Sequence, residues 1–210
     1  MDIRIPRTTL RTETQQALRA RIVDGRMAAG SNVIERDLSQ ALGVSRTPLR
    51  EALLGLEGEG LLRAEPQRGF FVAGLSVEEA RELYPLIGAL EALAIERGRP
   101  ESAPRLAEIN RKFRAARDAA AAVMHDRDWH ETLIRQCTLP RSAAILEVLR
   151  TAAARYEYRY FSGRGAIRES ARQHDDIARA LQRRRFANAA TLVKRNWEQG
   201  LQWVERNFHQ

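Results

Sequence analysis

The chain has 210 residues, of which 44% are hydrophobic and 30% charged, with a formal net charge of +8 at pH 7. That is enough chain for one large domain or two small ones around a substantial core. The longest uninterrupted apolar run, AAAAVM at 119–124, is far too short to span a bilayer, and MDIRIPRTTLRTET at the start has no apolar stretch resembling a signal peptide.

A single cysteine, Cys137, excludes an intrachain disulfide framework and fits a reducing, cytoplasmic setting. The net positive charge favours polyanionic partners without naming one. Residues 1–75 carry 11 basic against 9 acidic side chains and residues 76–210 carry 24 against 18. Bulk charge therefore does not mark a nucleic-acid domain, and local geometry must.

In chain order, residues 12–27 predict a helix with Ala17, Ile22 and Val23 near helical spacing and Gly25 as its stop. Gly30, Ser31 and Asn32 are turn residues. A short helix follows with Leu38, Ala41 and Leu42 inward, ended by Gly43. Ser45 is a suitable N-cap for the next helix, Pro48 lies in its first turn, and Leu49, Leu53 and Leu56 share one face. Two apolar runs within 60–74 flank Pro66-Gln67-Arg68-Gly69 and predict a β-hairpin. Helix, helix–turn–helix and hairpin together make a winged helix–turn–helix.

A boundary falls near Gly74, dividing the chain into domains 1–75 and 76–210. SVEE at 76–79 is a capping box. Beyond it only helices are predicted, at 77–97, 102–123, 126–137, 141–161, 166–184 and 187–208, punctuated by Pro100, Pro104, Pro140, Gly163 and Gly165. Pro85 should kink the first of them. The expected fold is mostly α, an N-terminal winged helix–turn–helix followed by an antiparallel all-helical bundle.

In a helix–turn–helix the second helix enters the major groove and its N-terminal residues meet base edges. Here those residues are Ser45, Arg46, Thr47 and Arg50. Arginine pairs bidentately with guanine, while Ser and Thr reach phosphates or bases. Arg36 on the preceding helix and the Arg68-Gly69 tip would flank the same groove. Any one of these arginines alone would be an ordinary surface residue; the constellation is not. GSNVIERDLSQALGVSRTPLREALLGLEGEGLLRAEPQRGFFV, at 30–72, resembles the DNA-binding domain of the GntR family of bacterial transcription regulators. The resemblance implies DNA contacts from Arg36, Arg46, Thr47, Arg50, Arg68 and Gly69. It also implies a homodimer on a near-palindromic double-stranded operator, and favours repression over activation.

In the second half, Asp126 and His130 are one helical turn apart, with His130 in line with Leu133, Ile134 and Cys137. His174 lines up with Ile177, Ala178 and Leu181. Either histidine alone would be an ordinary hydrogen-bonded core residue. Two inward imidazoles and a carboxylate in a bundle core make a divalent-metal site, for zinc, nickel or manganese. ELYPLIGALEALA, DRDWHETL and ARQHDDIARAL are similar to the FCD ligand-sensing domain of the FadR-like subgroup. That resemblance adds a further metal-ligand position at Asn196, where a histidine is usual, and an arginine four residues before Glu91, where this chain has Ile87. Asparagine offers only a neutral amide oxygen.

His125 is turned away from the cluster by about 100° per residue, and His209 has no assigned part. Arg183-Arg184-Arg185 forms a solvated helix end, and the three tryptophans pack in the core or an interface. The function expected is a regulator whose operator binding is controlled by a small effector, a carboxylate drawn to the metal. Two rivals are an effector-independent DNA-binding protein and a non-haem metal enzyme, since two histidines and a carboxylate are also an oxygenase ligand set. Against the enzyme stand the absence of an evident general base or activated nucleophile and an unexplained winged domain.

Overall fold

The computed structural model describes residues 8–99, 103–135 and 140–208. Cys137, Pro100, His209 and the end of the helix expected at 126–137 lie outside the described residues. The chain divides into two compact units, Met1–Leu75 and Ser76–Gln210.

The first unit contains α1 (Thr8–Val23), β1 (Asn32–Val33), α2 (Glu35–Leu42), α3 (Arg46–Gly58), β2 (Leu62–Glu65) and β3 (Gly69–Val72). Four-residue spacing puts Thr14, Leu18 and Ile22 of α1 in the core, whereas Ala17 faces solvent. Leu49, Leu53 and Leu56 of α3 are fully buried against them, with Leu61, Phe70 and Val72 from the hairpin. Leu38 and Leu42 of α2 pack half-buried on this core, but Ala41 points outward. Gly43 closes α2 in a left-handed conformation, φ 66°, its N–H reaching the carbonyls of Ser39 and Gln40. Ser45 stands at the N-cap position of α3 in extended conformation, yet its hydroxyl makes no capping hydrogen bond.

The sheet has three antiparallel strands in the order β1-β3-β2, with Asn32 opposite Phe71 and Leu62 opposite Val72. β1 replaces part of the turn expected at 30–32. Two residues are too few to show alternation, and only pairing with β3 makes them a strand. The hairpin turn is closed by Arg68 N–H donating to Glu65 O at 3.0 Å.

The second unit is helical throughout its described residues: α4 (Val77–Gly98), α5 (Ala103–Arg114), α6 (Ala119–Ile134), α7 (Pro140–Tyr160), α8 (Arg164–Gln182) and α9 (Phe186–Asn207). The Ser76 hydroxyl caps α4 by accepting from Glu79 N–H at 3.0 Å. α4 runs continuously through Pro85, whose ring is exposed.

One expected boundary is wrong. The break placed near residues 124–125 falls instead at 115–118, because Asp118, in extended conformation, caps α6 by accepting from Ala121 N–H at 2.8 Å. Alanines on both sides hid it, since alanine propagates a helix and signals no stop. His125 and Asp126 thus sit mid-helix.

α4 and α9 approach closely at two glycines. A Cβ on Gly88 would lie 3.4 Å from Trp197 Cβ, and one on Gly200 only 2.7 Å from Tyr84 Cε1. Gly200→Ala is therefore expected to lower stability by about 1–3 kcal/mol through overpacking. Gly165→Ala, in open space on α8, should cost nothing. Urea denaturation midpoints of the two variants check this.

Candidate nucleic-acid interface and candidate metal centre

α3 begins immediately after the left-handed turn at Gly43, so its first residues project from the core. Ser45, Arg46, Thr47 and Arg50 are all exposed, while Leu49 behind them is fully buried. Arg36, Arg46, Thr47 and Arg50 line one surface groove of about 600 Å³ with Glu35, Glu51 and Leu54. Arg36 pairs with Asp37 at 3.2 Å; Arg46 and Arg50 form no ion pair among the described residues.

The wing is organised around Phe71. The guanidinium groups of Arg63 and Arg68 lie 5.3 and 5.1 Å from its ring centroid, and each pairs with Glu65 at 2.5 Å. Gly69 has φ 84°, a conformation strained for any side chain.

In the helical unit, α6 supplies Asp126 and His130 and α8 supplies His174. They are 5%, 2% and 0% exposed. Asp126 Oδ2 lies 3.7 Å from His130 Nε2, and its Oδ1 lies 3.5 Å from His174 Nε2. One ligand atom from each residue falls within 4.8 Å of the others.

Hydrogen bonding behind the rings sets their tautomers. Asn110 Nδ2 donates to Ala171 O at 2.8 Å and to Asp175 Oδ1 at 2.6 Å, which turns its Oδ1 toward His174 Nδ1, 3.2 Å away. His174 Nδ1 must then carry the proton, leaving the Nε2 lone pair facing Asp126. That Nε2 is buried with no hydrogen-bond partner. Burial, then the His130 and Arg114 charges, depress the His174 pKa well below the usual range, so the ring is neutral. Trp129 stacks on it at 3.9 Å and 7°.

His130 Nδ1 is 2.8 Å from Glu91 Oε2. Burial alone would raise the Glu91 pKa, but the Arg150 and His130 charges and hydrogen bonds from His130 and Trp197 hold it down at about 2. A carboxylate only accepts, so His130 also donates from Nδ1 and presents Nε2 to Asp126. Asp126 receives no such help. Burial first, then repulsion from Glu157 and Glu91, push its pKa well above the usual range despite Arg150.

A buried Asp126 carboxyl between the Nε2 atoms of two imidazoles offers donor types that suit a divalent metal. Asp126 and His130 line a cavity of about 20 Å³ with Tyr84, Glu157 and Asn196, and His174 stands behind Asp126. That holds one ion or one water.

Asn196 lines this cavity half-buried, its Nδ2 donating to Gln173 Oε1 at 2.6 Å. His125 is half-buried, with Nδ1 unpartnered, and is not one of the three converging residues. Arg183, Arg184 and Arg185 are exposed. Ile87 is fully buried, and the guanidinium beside Glu91 comes from Arg150 of α7, with Nε at 2.9 Å from Oε1.

Sequence reasoning missed Asn110, Arg150 and Trp197, which hold His174 and Glu91, and the buried Glu157 on the cavity wall. A signal existed for three of them. Asn110 interrupts the buried stripe Leu106-Asn110-Phe113, and Arg150 and Glu157 interrupt Leu146-Arg150-Ala153-Glu157. Polar residues on an apolar helix face need partners.

A winged helix–turn–helix unit followed by a helical unit with such a buried cluster is the architecture of a two-domain transcription regulator. Residues 10–72 match the bacterial regulatory proteins of the gntR family, and residues 82–199 match the FCD domain. The uncharacterized HTH-type regulator YdhC of Bacillus subtilis (strain 168) is 38% identical over 38% of this chain and 35% of its own length. The uncharacterized HTH-type regulator BphR of Paraburkholderia xenovorans (strain LB400) is 33% identical over 68% and 64%. The gluconate operon transcriptional repressor of Bacillus licheniformis is 34% identical over 56% and 51%. The matched stretches thus span between about a third and two thirds of these relatives' lengths. The fold is similar to that of E. coli McbR/YncC, with a TM-score of 0.80 at 21% identity over 96% of this chain and 100% of that one. The chain belongs to the GntR family of bacterial regulatory proteins and carries an FCD domain. The relatives it matches are named as transcriptional regulators.

Glu91 holds Arg150 and His130 together in the core. Glu91→Ala is expected to cost about 3–5 kcal/mol by leaving the Arg150 charge buried and unpaired. Glu91→Ala/Arg150→Met should recover much of that loss in a double-mutant cycle followed by chemical denaturation.

Proposed function

We propose that this chain is an operator-binding repressor whose DNA binding responds to a small effector taken up in the helical unit beside a divalent ion. Residues 1–75 are the DNA-binding domain and residues 76–210 the effector-binding and dimerising domain. The relative named as a gluconate operon repressor supports repression. The observation that carries the metal reading is His174 Nε2, fully buried and unpartnered, with its lone pair aimed at Asp126.

Asp126, His130 and His174 would hold the ion, and Asn196 stands at the cavity wall as a weak further donor. A bound divalent ion supplies a Lewis-acid position for an oxygen donor, which suits a carboxylate effector. A cavity of about 20 Å³ admits no organic acid. Its wall residues come from α4, α6, α7, α8 and α9, so uptake of an effector must displace helices. That displacement is the coupling between ligand and DNA.

On the DNA side, Arg46 and Arg50 read bases, Ser45 and Thr47 contact phosphate or base, and Arg36, Arg68 and Gly69 flank them. Two copies reach half-sites ~34 Å apart on a near-palindromic operator. Leu86 and Leu93 of α4 and Ile145 and Val148 of α7 support a homodimer, being 52%, 37%, 52% and 43% exposed.

Mobility-shift titration on a duplex selected from a random pool tests the DNA assignment. Arg46→Ala and Arg50→Ala should each weaken binding by ~1–3 kcal/mol and relax preference at one base pair. Unchanged specific binding in both would refute it. For the ion, zinc, nickel or manganese should raise the melting temperature of dialysed protein. His174→Ala should abolish that rise while keeping effector-free operator binding, and Asn196→His should enlarge it. A wild type indifferent to all three ions removes the metal from the reading.

A further inference from the structure

Glu157 has no part in the assignments above, yet it lines the same cavity as Asp126 and His130. It projects from α7, is only 9% exposed, and its carboxylate makes no hydrogen bond or ion pair among the described residues. Folding does not bury a carboxylate unpartnered without a large desolvation cost. Glu91, fully buried on α4, shows what a purely structural carboxylate looks like here: it is bonded to Arg150, His130 and Trp197. Glu157 has nothing comparable. It lines that cavity with a second carboxylate, Asp126, whose Oδ1 lies 3.5 Å from the unpartnered His174 Nε2.

We propose that Glu157 is the fourth protein donor to the divalent ion, making the centre two imidazoles and two carboxylates. This rests on the metal reading of Asp126, His130 and His174. Two carboxylates neutralise a divalent charge inside the core, which the neutral Asn196 amide cannot do. The extra oxygen donor also moves the site's preference toward manganese(II) and away from nickel(II), since carboxylates suit harder ions.

Calorimetric titration of full-length, metal-stripped protein with manganese(II) and nickel(II) tests the assignment. Wild type should bind one equivalent. Glu157→Gln, which keeps the shape and removes the charge, should weaken manganese(II) by ~10–100-fold and nickel(II) by less, whereas Asn196→Ala should change either by under about threefold. The metal-free Glu157→Gln protein should melt higher than wild type, because an uncompensated buried charge is gone. A structural role would lower its melting temperature together with metal affinity. Wild-type manganese(II) affinity and unaltered ion preference in Glu157→Gln would overturn the proposal while leaving the three-residue centre standing. No binding by the wild type would overturn both.

Discussion

One buried carboxylate organises the helical unit. Glu91 has no exposed surface, yet it stays ionised because Arg150 of α7, His130 of α6 and Trp197 of α9 all donate to it. Four helices are thereby fixed around a single group. Each of those donors would be costly to bury alone, so the register of the bundle and the direction of the His130 ring are settled by one electrostatic requirement. The Asp126 cluster depends on this arrangement. If His130 did not donate from Nδ1, it would not present Nε2 inward. Asn110 does the same for His174 from α5, and both rings reach Asp126 already oriented.

The winged unit follows a simpler rule. Its core is made almost entirely of leucine and valine from α1, α3 and the hairpin, and its polar residues are left at the start of α3 and on the wing. That separation made it legible. Gly43, Pro48 and the Leu49-Leu53-Leu56 face each carry a local signal, and α3 and the hairpin stand where those signals put them. β1 was not legible, because a two-residue strand exists only through its partner. Ser45 occupies its cap position without the hydrogen bond that the residue type suggested.

The helical unit was legible in its elements and in three of its site residues, and less so in what supports them. Asp126 and His130 share a helix face by spacing alone, and His174 falls in line with apolar neighbours. Arg150, Asn110 and the cavity-lining Glu157 come from helices remote in sequence. Nothing in a linear pattern says which polar interruption of one stripe meets which interruption of another. The alanine-rich stretch at 115–122 failed for a different reason: high helix propensity on both sides conceals a cap that only the Asp118 hydrogen bond reveals.

The Phe71 platform has a consequence for how the wing meets a charged surface. Arg63 and Arg68 are already ordered, stacked over one ring and tethered to Glu65. Little side-chain entropy is left for them to lose on docking, but the tether must be released before either guanidinium serves a phosphate. Glu65 thus acts as an internal counterion. A phosphate approaching either guanidinium would have to displace it, so the two positive charges would count for less against a polyanion than their number implies. The wing thus carries its own competitor, and only a surface that outbids Glu65 would free its guanidinium groups.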